Sequence, residues 1–106
     1  MTDIKKIVAD SNFIIPMVGN KFFNNKPIKK DKNILLIPDP KNKYDPNAIG
    51  VFTKRDKSLI QLGFVIKDKC SIVKQNLDNI STIKLIRSID KNDENLYYYY
   101  LLINLK

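Results

Sequence analysis

The sequence contains no histidine and no tryptophan, and its single cysteine is Cys70. Without histidine there is no Ser-His-Asp triad, no imidazole general base and no histidine metal site. A lone cysteine excludes an internal disulfide bond and a thiolate zinc site. These absences remove the commonest hydrolytic and metal-dependent chemistries, and we expect neither a catalytic role nor a cofactor or metal.

Long hydrophobic runs are also scarce. The longest, Leu96 to Ile103, is far shorter than the ~20 residues that a membrane-spanning helix needs. The first ten residues, MTDIKKIVAD, include acids and no long apolar stretch, so they do not resemble a secretory signal. A free thiol without such a signal favours a reducing environment. We therefore expect an intracellular protein, in the cytoplasm or the nucleus, and no membrane partner.

Arginine is rare, although the chain is strongly basic. The 106 residues carry 19 Lys plus Arg against 11 Asp plus Glu, a net charge of +8, yet only Arg55 and Arg87 are arginines. Such an excess favours a polyanionic partner, most often nucleic acid, although general solubility also explains it. Lysine suits phosphate as a point charge, whereas guanine is usually recognised by the arginine fork. The composition predicts backbone contacts and no base-specific duplex recognition.

The apolar segments are short and bounded by Asn, Asp, Pro and Lys clusters, a pattern typical of a small all-β domain. Alternating apolar residues place Ile60, Leu62 and Phe64 on one face of a strand. The length allows one domain, spanning residues 1–106. The predicted strands are Asn12–Val18, Asn33–Pro38, Ala48–Thr53, Ser58–Val65, Thr82–Ile89 and Leu96–Leu105.

Two segments depart from simple strand alternation. Between the fourth and fifth strands, Cys70, Val73 and Leu77 recur at helical spacing and predict a helix over Asp68–Asn79. The last strand, LYYYYLLINL, is apolar on both faces. A central place in a barrel wall, a dimer contact, or base stacking would each explain its tyrosines, and we expect most of them to be buried.

The most distinctive segment is Asp39–Thr53, DPKNKYDPNAIGVFT, which gathers Pro, Asn and Asp between two strands. Asp and Asn side chains bond to nearby backbone and Pro fixes φ, so a rigid turn is one interpretation. The segment is not a calcium loop, because it lacks the glycine at the sharp turn and the distal glutamate.

In this segment and around it, the chain resembles the HIRAN family. The resemblance covers about Phe13 to Asp90, and the matching blocks are Val18-Gly19-Asn20-Lys21-Phe22-Phe23, Ile34-Leu35-Leu36-Ile37, Asp39 to Ile49, and Leu62-Gly63-Phe64-Val65. It implies an OB-like antiparallel β-barrel with one or two short helices, with a core at about 13–90 and a final strand at about 96–105. The family is known for holding the 3′ end of single-stranded DNA in helicase-like remodellers of stalled replication forks, which implies a role in replication and DNA repair.

The resemblance implies roles for aromatic and acidic residues. Phe22 and Tyr44 would stack on bases near the strand end, and Asp45 would accept a hydrogen bond from the terminal 3′-hydroxyl. Stacking contributes ~1–3 kcal/mol per base and tolerates any sequence. A carboxylate repels phosphates, so its presence in such a site is explained by a hydroxyl donor.

The resemblance also implies phosphate or backbone contacts from Lys21, Asn42 and Lys67. Phe64 is expected at the DNA interface because it follows Gly63, where the best-known member of the family has a histidine that contacts DNA. Lys21 and Phe22 replace an arginine and a tyrosine. Lysine retains the positive charge but lacks the bidentate guanidinium group of arginine. Phenylalanine retains the aromatic face for stacking but lacks the hydroxyl of tyrosine.

We therefore predict a non-catalytic protein that binds free 3′-OH ends of single-stranded DNA. The alternative is a protein-interaction or inhibitory module that uses the barrel surface and the tyrosine-rich last strand, with a partner such as a helicase or a nuclease. A small DNA-processing enzyme is a weaker hypothesis, because the sequence has no histidine and no clustered pair of carboxylates.

Overall fold

The structure, a computed structural model, describes residues 12–19, 33–89 and 97–106, together with Phe23 and Asn92. Its strands lie close to the predicted ones, so the all-β prediction is confirmed. No helix in these described ranges has the length and apolar character to cross a membrane. The strands are β1 (Asn12–Val18), β2 (Ile34–Pro38), β3 (Ile49–Arg55), β4 (Ser58–Val65), β5 (Ile80–Ile89) and β6 (Tyr97–Leu105).

The strands form one antiparallel sheet in the order β2-β3-β4-β1-β6-β5. The sheet curls into a half-barrel, which confirms the predicted barrel-like architecture. β1 joins the two halves: it pairs with β6 from Asn12 to Met17 but with β4 only at Met17 and Val18. β1 pairs with β4 only at its C-terminal end, and the rest of β1 diverges from β4. This divergence lets the sheet curl around its inner face.

The inner face of the curled sheet holds the hydrophobic core. Alternate residues of β1 point inward, and Phe13, Ile15 and Met17 are buried. They pack with inward residues of β3 and β6 and with the helical segment that follows β4. Burial of apolar surface at ~25 cal/mol per Å² makes this layer the main source of stability. The other buried core residues are Ile34, Ile49, Val51, Leu62, Val65, Cys70, Val73, Leu85, Tyr99, Leu101 and Ile103.

A β-bulge in β4 changes which of its residues face the core. Val51 pairs with Gly63, but the next residue of β3, Phe52, pairs with Gln61, so Leu62 is an extra residue in β4. Leu62 and Val65 are buried in the core, whereas Phe64 is only half-buried and is not part of it. The expectation that Leu62 and Phe64 share one face is therefore wrong, because strict alternation fails across a bulge.

Gly63 lies beside the short pairing of β1 with β4. A Cβ atom at this position would be 2.6 Å from the main-chain oxygen of Val18 and 3.1 Å from Cγ of Met17. Any larger residue would therefore push the two strands apart at their short pairing. The glycine keeps β1 in place against β4 and sets the start of the segment that leads to the helix.

The helical segment after β4 is broken into three short pieces. A 3₁₀ turn over Lys67–Lys69 leads into the α-helix α1 (Cys70–Gln75), and a second 3₁₀ turn covers Leu77–Asn79. The break is at Asn76, whose Nδ2 donates to the carbonyl of Ile72 at 2.7 Å while its main-chain N–H bonds to Val73. The helix was predicted at the right place, but this local bonding shortens it.

The tyrosine-rich strand β6 is central, between β1 and β5. Tyr99 is buried in the core, Tyr100 is half-buried and Tyr98 is 43% exposed. Alternation along a strand explains the difference, since neighbouring side chains point to opposite faces. Among the β6 tyrosines whose side chains are described, Tyr98 offers the largest surface to a partner.

Candidate nucleic-acid interface

The candidate site begins with the loop that joins β2 to β3, residues 39–48, which we call the Asp-Pro loop. Its two ends are held together by a hydrogen bond of 2.8 Å from the main-chain N–H of Asp39 to the carbonyl of Ala48. Within it, Asn42 N–H donates to the carbonyl of Asp39, and Ala48 N–H to that of Asp45. The main chain thus folds as two successive turns between adjacent antiparallel strands.

The side chain of Asn42 organises the first of these turns. Its Oδ1 accepts hydrogen bonds from the main-chain N–H groups of Tyr44 at 2.9 Å and Asp45 at 3.1 Å. Its Nδ2 donates to Oδ2 of Asp39 at 3.1 Å. Both ends of the amide are therefore used inside the loop, and Asn42 determines the positions of the two residues that follow Lys43.

Tyr44 projects from the tip of the loop and is 95% exposed. Its main-chain N–H is fixed by Asn42, while its ring has almost no contact with the rest of the described chain. An aromatic ring buried so little contributes little to folding. The ring is therefore available as a stacking surface for an incoming base.

Asp45, the next residue, is half-buried. Its Oδ1 accepts a hydrogen bond from the main-chain N–H of Asn47 at 2.9 Å. Within the part of the chain that the structure describes, Oδ2 accepts none. This carboxylate is thus fixed through one oxygen and keeps the lone pairs of the other for a donor outside the loop.

A pocket of about 320 Å³ lies between the Asp-Pro loop and the helical segment. Asp45 and Asn47 line the loop side, and residues from the first 3₁₀ turn and α1 line the other. Asp45 and Lys67, predicted as site residues from separate parts of the sequence, therefore lie on opposite walls of one pocket. The helical wall consists of Lys67, Cys70, Ser71, Lys74 and Gln75.

The charge of the pocket is positive on the helical wall and negative at one point of the loop wall. Lys67 and Lys74 are both exposed, and neither makes an ion pair with any acid among the described residues. With two lysines and one aspartate in its lining, the pocket is net positive, which suits an anion that also carries a hydroxyl donor.

Cys70 forms the base of the pocket and is only 2% exposed. Its Sγ lies 3.6 Å from the carbonyl oxygens of Val65 and Ile66. Burial raises the pKa of this thiol; the main-chain N–H of Ile49 lowers it, and the charge of Asp45 raises it. The thiol is therefore a neutral packing group that ties α1 to the end of β4.

Phe64 lies on the sheet face opposite the core, and its ring packs against Phe23 with centroids 5.6 Å apart and an interplanar angle of 59°. It does not line the pocket beside Asp45. Phe23 is 39% exposed, so the pair forms an apolar surface that remains open to solvent on one side. Lys21 and Phe22, the other two predicted site residues, lie outside the described residues.

The sequence prediction missed part of the pocket. Ser71, Lys74 and Gln75 were not assigned to the site, although they follow Lys67 at intervals of four, seven and eight residues. Residues at this spacing share one face of a helix. Lys67 was predicted to bind phosphate, and the helical period could have extended the site to these neighbours. Asn47 belongs to the segment that the sequence analysis interprets as a rigid turn, and it also lines the pocket.

A curled antiparallel sheet with a net positive pocket beside its longest described loop defines a small β-barrel-like domain that suits a polyanion. The model of the HIRAN domain matches residues 11–105, and the chain belongs to this family. Membership supports a DNA-binding domain, a class that is not catalytic by itself.

The structure is similar to the crystal structure of the HIRAN domain of human HLTF. The two share 20% sequence identity with a TM-score of 0.58, and the match covers 91% of this chain and 77% of that one. At this identity, the likeness establishes the shared fold. Comparison with curated proteins gives no significant match.

Proposed function

We propose that this protein binds the free 3′-OH end of single-stranded DNA and holds it without catalysing a reaction. The observation that carries the proposal is Asp45: it lines a net positive pocket together with Lys67, and its carboxylate keeps one oxygen for an outside donor. A plain phosphate site would be weakened by such a charge. A strand terminus supplies both a hydroxyl donor for Asp45 and a phosphate for Lys67.

Tyr44 would act from the rim of the pocket. Its ring is 95% exposed, and the residue that follows it in the chain is Asp45. A terminal nucleotide with its sugar at Asp45 would have its base close to this ring, where any of the four bases can stack. Phe22 would provide a second stacking surface, and Lys21 a further positive charge.

Asn42 and Phe64 would contribute in different ways. The amide of Asn42 already bonds to three groups of the loop, so it would act on the DNA mainly by holding Tyr44 and Asp45 in position. Phe64, with Phe23, would offer an apolar surface in place of the family's histidine. Such a surface favours contact with a base or sugar over contact with a phosphate.

The decisive experiment compares two chemical forms of the 3′ end of the same strand. A short oligonucleotide with a 3′-OH competes against the same oligonucleotide with a 3′-phosphate for the purified protein. We expect preference for the 3′-OH end, because a carboxylate repels the phosphate and a charge-assisted hydrogen bond contributes about 1.5–3 kcal/mol. Equal binding of the two ends by the folded protein would refute recognition of the terminus.

Asp45→Asn is the matching variant. Asparagine keeps an Oδ1 acceptor for Asn47, so the loop should remain folded, while the negative charge is lost. The difference in affinity between 3′-OH and 3′-phosphate oligonucleotides should become smaller, and general DNA binding should be retained. Asp56→Asn is the control: Asp56 is an exposed acid in the β3–β4 turn with φ of 55°, a conformation that asparagine also tolerates. It should leave the preference unchanged.

A further inference from the structure

Beyond Lys67, the helical wall of the pocket carries a second lysine. Lys74 is exposed, lines the pocket with Ser71 and Gln75, and lies on the same face of the segment as Lys67. A 3₁₀ turn rises ~2.0 Å and an α-helix ~1.5 Å per residue, so the two lysines are ~12 Å apart along the segment and can act on different parts of one ligand. The proposed function assigns a role to Lys67 and none to Lys74.

We propose that Lys74, with Ser71 and Gln75, binds the second internucleotide phosphate from the 3′ end, the neighbour of the one assigned to Lys67, so that the DNA leaves the pocket along α1. This inference rests on the proposed function, since it takes the terminal sugar to lie at Asp45. A phosphodiester needs a positive charge and neutral donors, and the lysine, the hydroxyl and the amide supply them on one wall.

The charges on the neighbouring elements support this assignment. Lys74 precedes Asp78 by four residues, a spacing that permits an ion pair on a regular helix. The break at Asn76 ends α1 between them, and the described residues contain no such pair. Asp68 lies on the same segment but does not line the pocket, and Asp45 on the opposite wall is the only acid that does. The ammonium group of Lys74 therefore stays available to a ligand.

The surface formed by Ser71, Lys74 and Gln75 is also the part of the pocket that has room for a continuing DNA strand. The pocket volume of about 320 Å³ extends from Asp45 to Gln75, which is the last residue of α1. A ligand that ended at Asp45 and Lys67 would leave the surface of Ser71, Lys74 and Gln75 without a contact. A strand that continues past the terminal nucleotide would cover it.

The test combines one variant with one change in the DNA. Lys74→Ala is measured on oligonucleotides with a 3′-OH in which either the second or the fourth linkage from the 3′ end is a neutral methylphosphonate. With unmodified DNA, the variant should lose about five- to tenfold in affinity, and the slope of log affinity against log salt should fall by ~0.7. With the second linkage neutral, wild type and variant should bind alike. With the fourth linkage neutral, the loss should persist.

Matched variants separate a contact from general electrostatics and from unfolding. Lys84→Ala removes an exposed lysine of β5 that does not line the pocket, and it should leave affinity nearly unchanged. Lys74→Arg keeps the charge and should retain most of the binding. Alanine favours helix, so the melting temperature of Lys74→Ala should equal that of the wild type.

The outcomes distinguish this inference from the proposed function. If wild type prefers 3′-OH ends but Lys74→Ala binds as tightly as wild type, the inference is wrong and the function stands. It is also wrong if the loss on Lys74→Ala is the same with either linkage neutral. If wild type shows no preference for 3′-OH ends, the proposed function fails, and the inference fails with it.

Discussion

The carboxamide oxygen of Asn42 accepts the main-chain N–H of Asp45 at 3.1 Å, so the residue proposed to recognise the DNA end is positioned by a side chain three residues before it. The same oxygen accepts the N–H of Tyr44. One amide therefore fixes the two residues of the loop that we propose to contact the terminal nucleotide. This arrangement separates the residues that shape the loop from those that meet the ligand.

Substitution of Asn42 should show that this residue shapes the loop, whereas Tyr44 and Asp45 contact the ligand. Asn42→Ala removes the acceptor of two N–H groups and the donor to Asp39, and we expect a loss of stability of about 1–2 kcal/mol together with weaker binding. Asn42→Asp keeps the acceptor but places a second negative charge beside Asp39. Its loss should be smaller at high salt, which screens the repulsion between the two carboxylates, than at low salt. Urea unfolding at the two salt concentrations measures both effects; equal stability of Asn42→Ala and wild type would contradict them.

Tyr44 should affect binding without affecting folding. Because its ring is 95% exposed, Tyr44→Ala should leave the melting temperature unchanged. If the ring stacks on a base, the same variant should weaken binding of 3′-OH DNA by about 1–3 kcal/mol, and Tyr44→Phe should lose less. Thermal melts and fluorescence anisotropy on the same protein samples test both parts. A lower melting temperature with unaltered affinity would assign Tyr44 to the loop structure.

The two buried glycines of the sheet should respond differently to alanine. At Gly63, the new Cβ would be 2.6 Å from a main-chain oxygen of Val18, so β1 or β4 must move, and we expect a loss of about 1–3 kcal/mol. At Gly50, the close atom is Cε1 of the Phe52 ring, which can rotate away, so the loss should be smaller. Chemical denaturation of both variants gives the comparison. A larger loss for Gly50→Ala would show that the β1–β4 contact is looser than the structure has it.

Cys70 should make stability depend on pH in the alkaline range. Burial raises the pKa of the thiol in the folded protein above its value in the unfolded chain, ~8.5. As pH rises past the unfolded value, the unfolded chain loses its proton first, so the free energy of unfolding falls until the folded thiol also ionises.

Cys70→Ala provides the reference, because it lacks the thiol and keeps every lysine and tyrosine. The difference in unfolding free energy between wild type and Cys70→Ala should shrink between about pH 8 and pH 10, by at most ~1.4 kcal/mol per pH unit. Urea unfolding of the two proteins across this range measures it. Parallel pH profiles would mean that the folded thiol ionises as easily as an exposed one.

The strands could be predicted because each apolar segment is short and clearly bounded. β1 to β4 begin and end within two residues of their predicted limits. The bulge at Leu62 could not be predicted, since it depends on how β3 and β4 pair, and it reversed the expected direction of Phe64. The broken helix depends likewise on the side chain of Asn76, whose bond to Ile72 leaves no pattern in the hydrophobic residues.

The site could be predicted only in part, because the fold decides which of its residues lie together. The residue types of Asp39–Ile49 identified the loop, and the structure places Asp45 opposite Lys67. That these two share one pocket is a property of the fold, because twenty-two positions of the sequence separate them. Lys74 was missed, although helical periodicity from Lys67 could have extended the site to it without any knowledge of the sheet.

The internal hydrogen bonds of the Asp-Pro loop have a consequence for the kinetics and heat of binding. A loop that is already held by Asn42 and by the Asp39–Ala48 bond loses little conformational entropy when DNA arrives. Preorganisation of this kind affects mainly how fast and how uniformly a ligand is captured. Association should therefore follow a single phase whose rate rises linearly with DNA concentration and shows no plateau from a slow rearrangement of the loop. The heat capacity change should then reflect only the surface covered by one or two nucleotides.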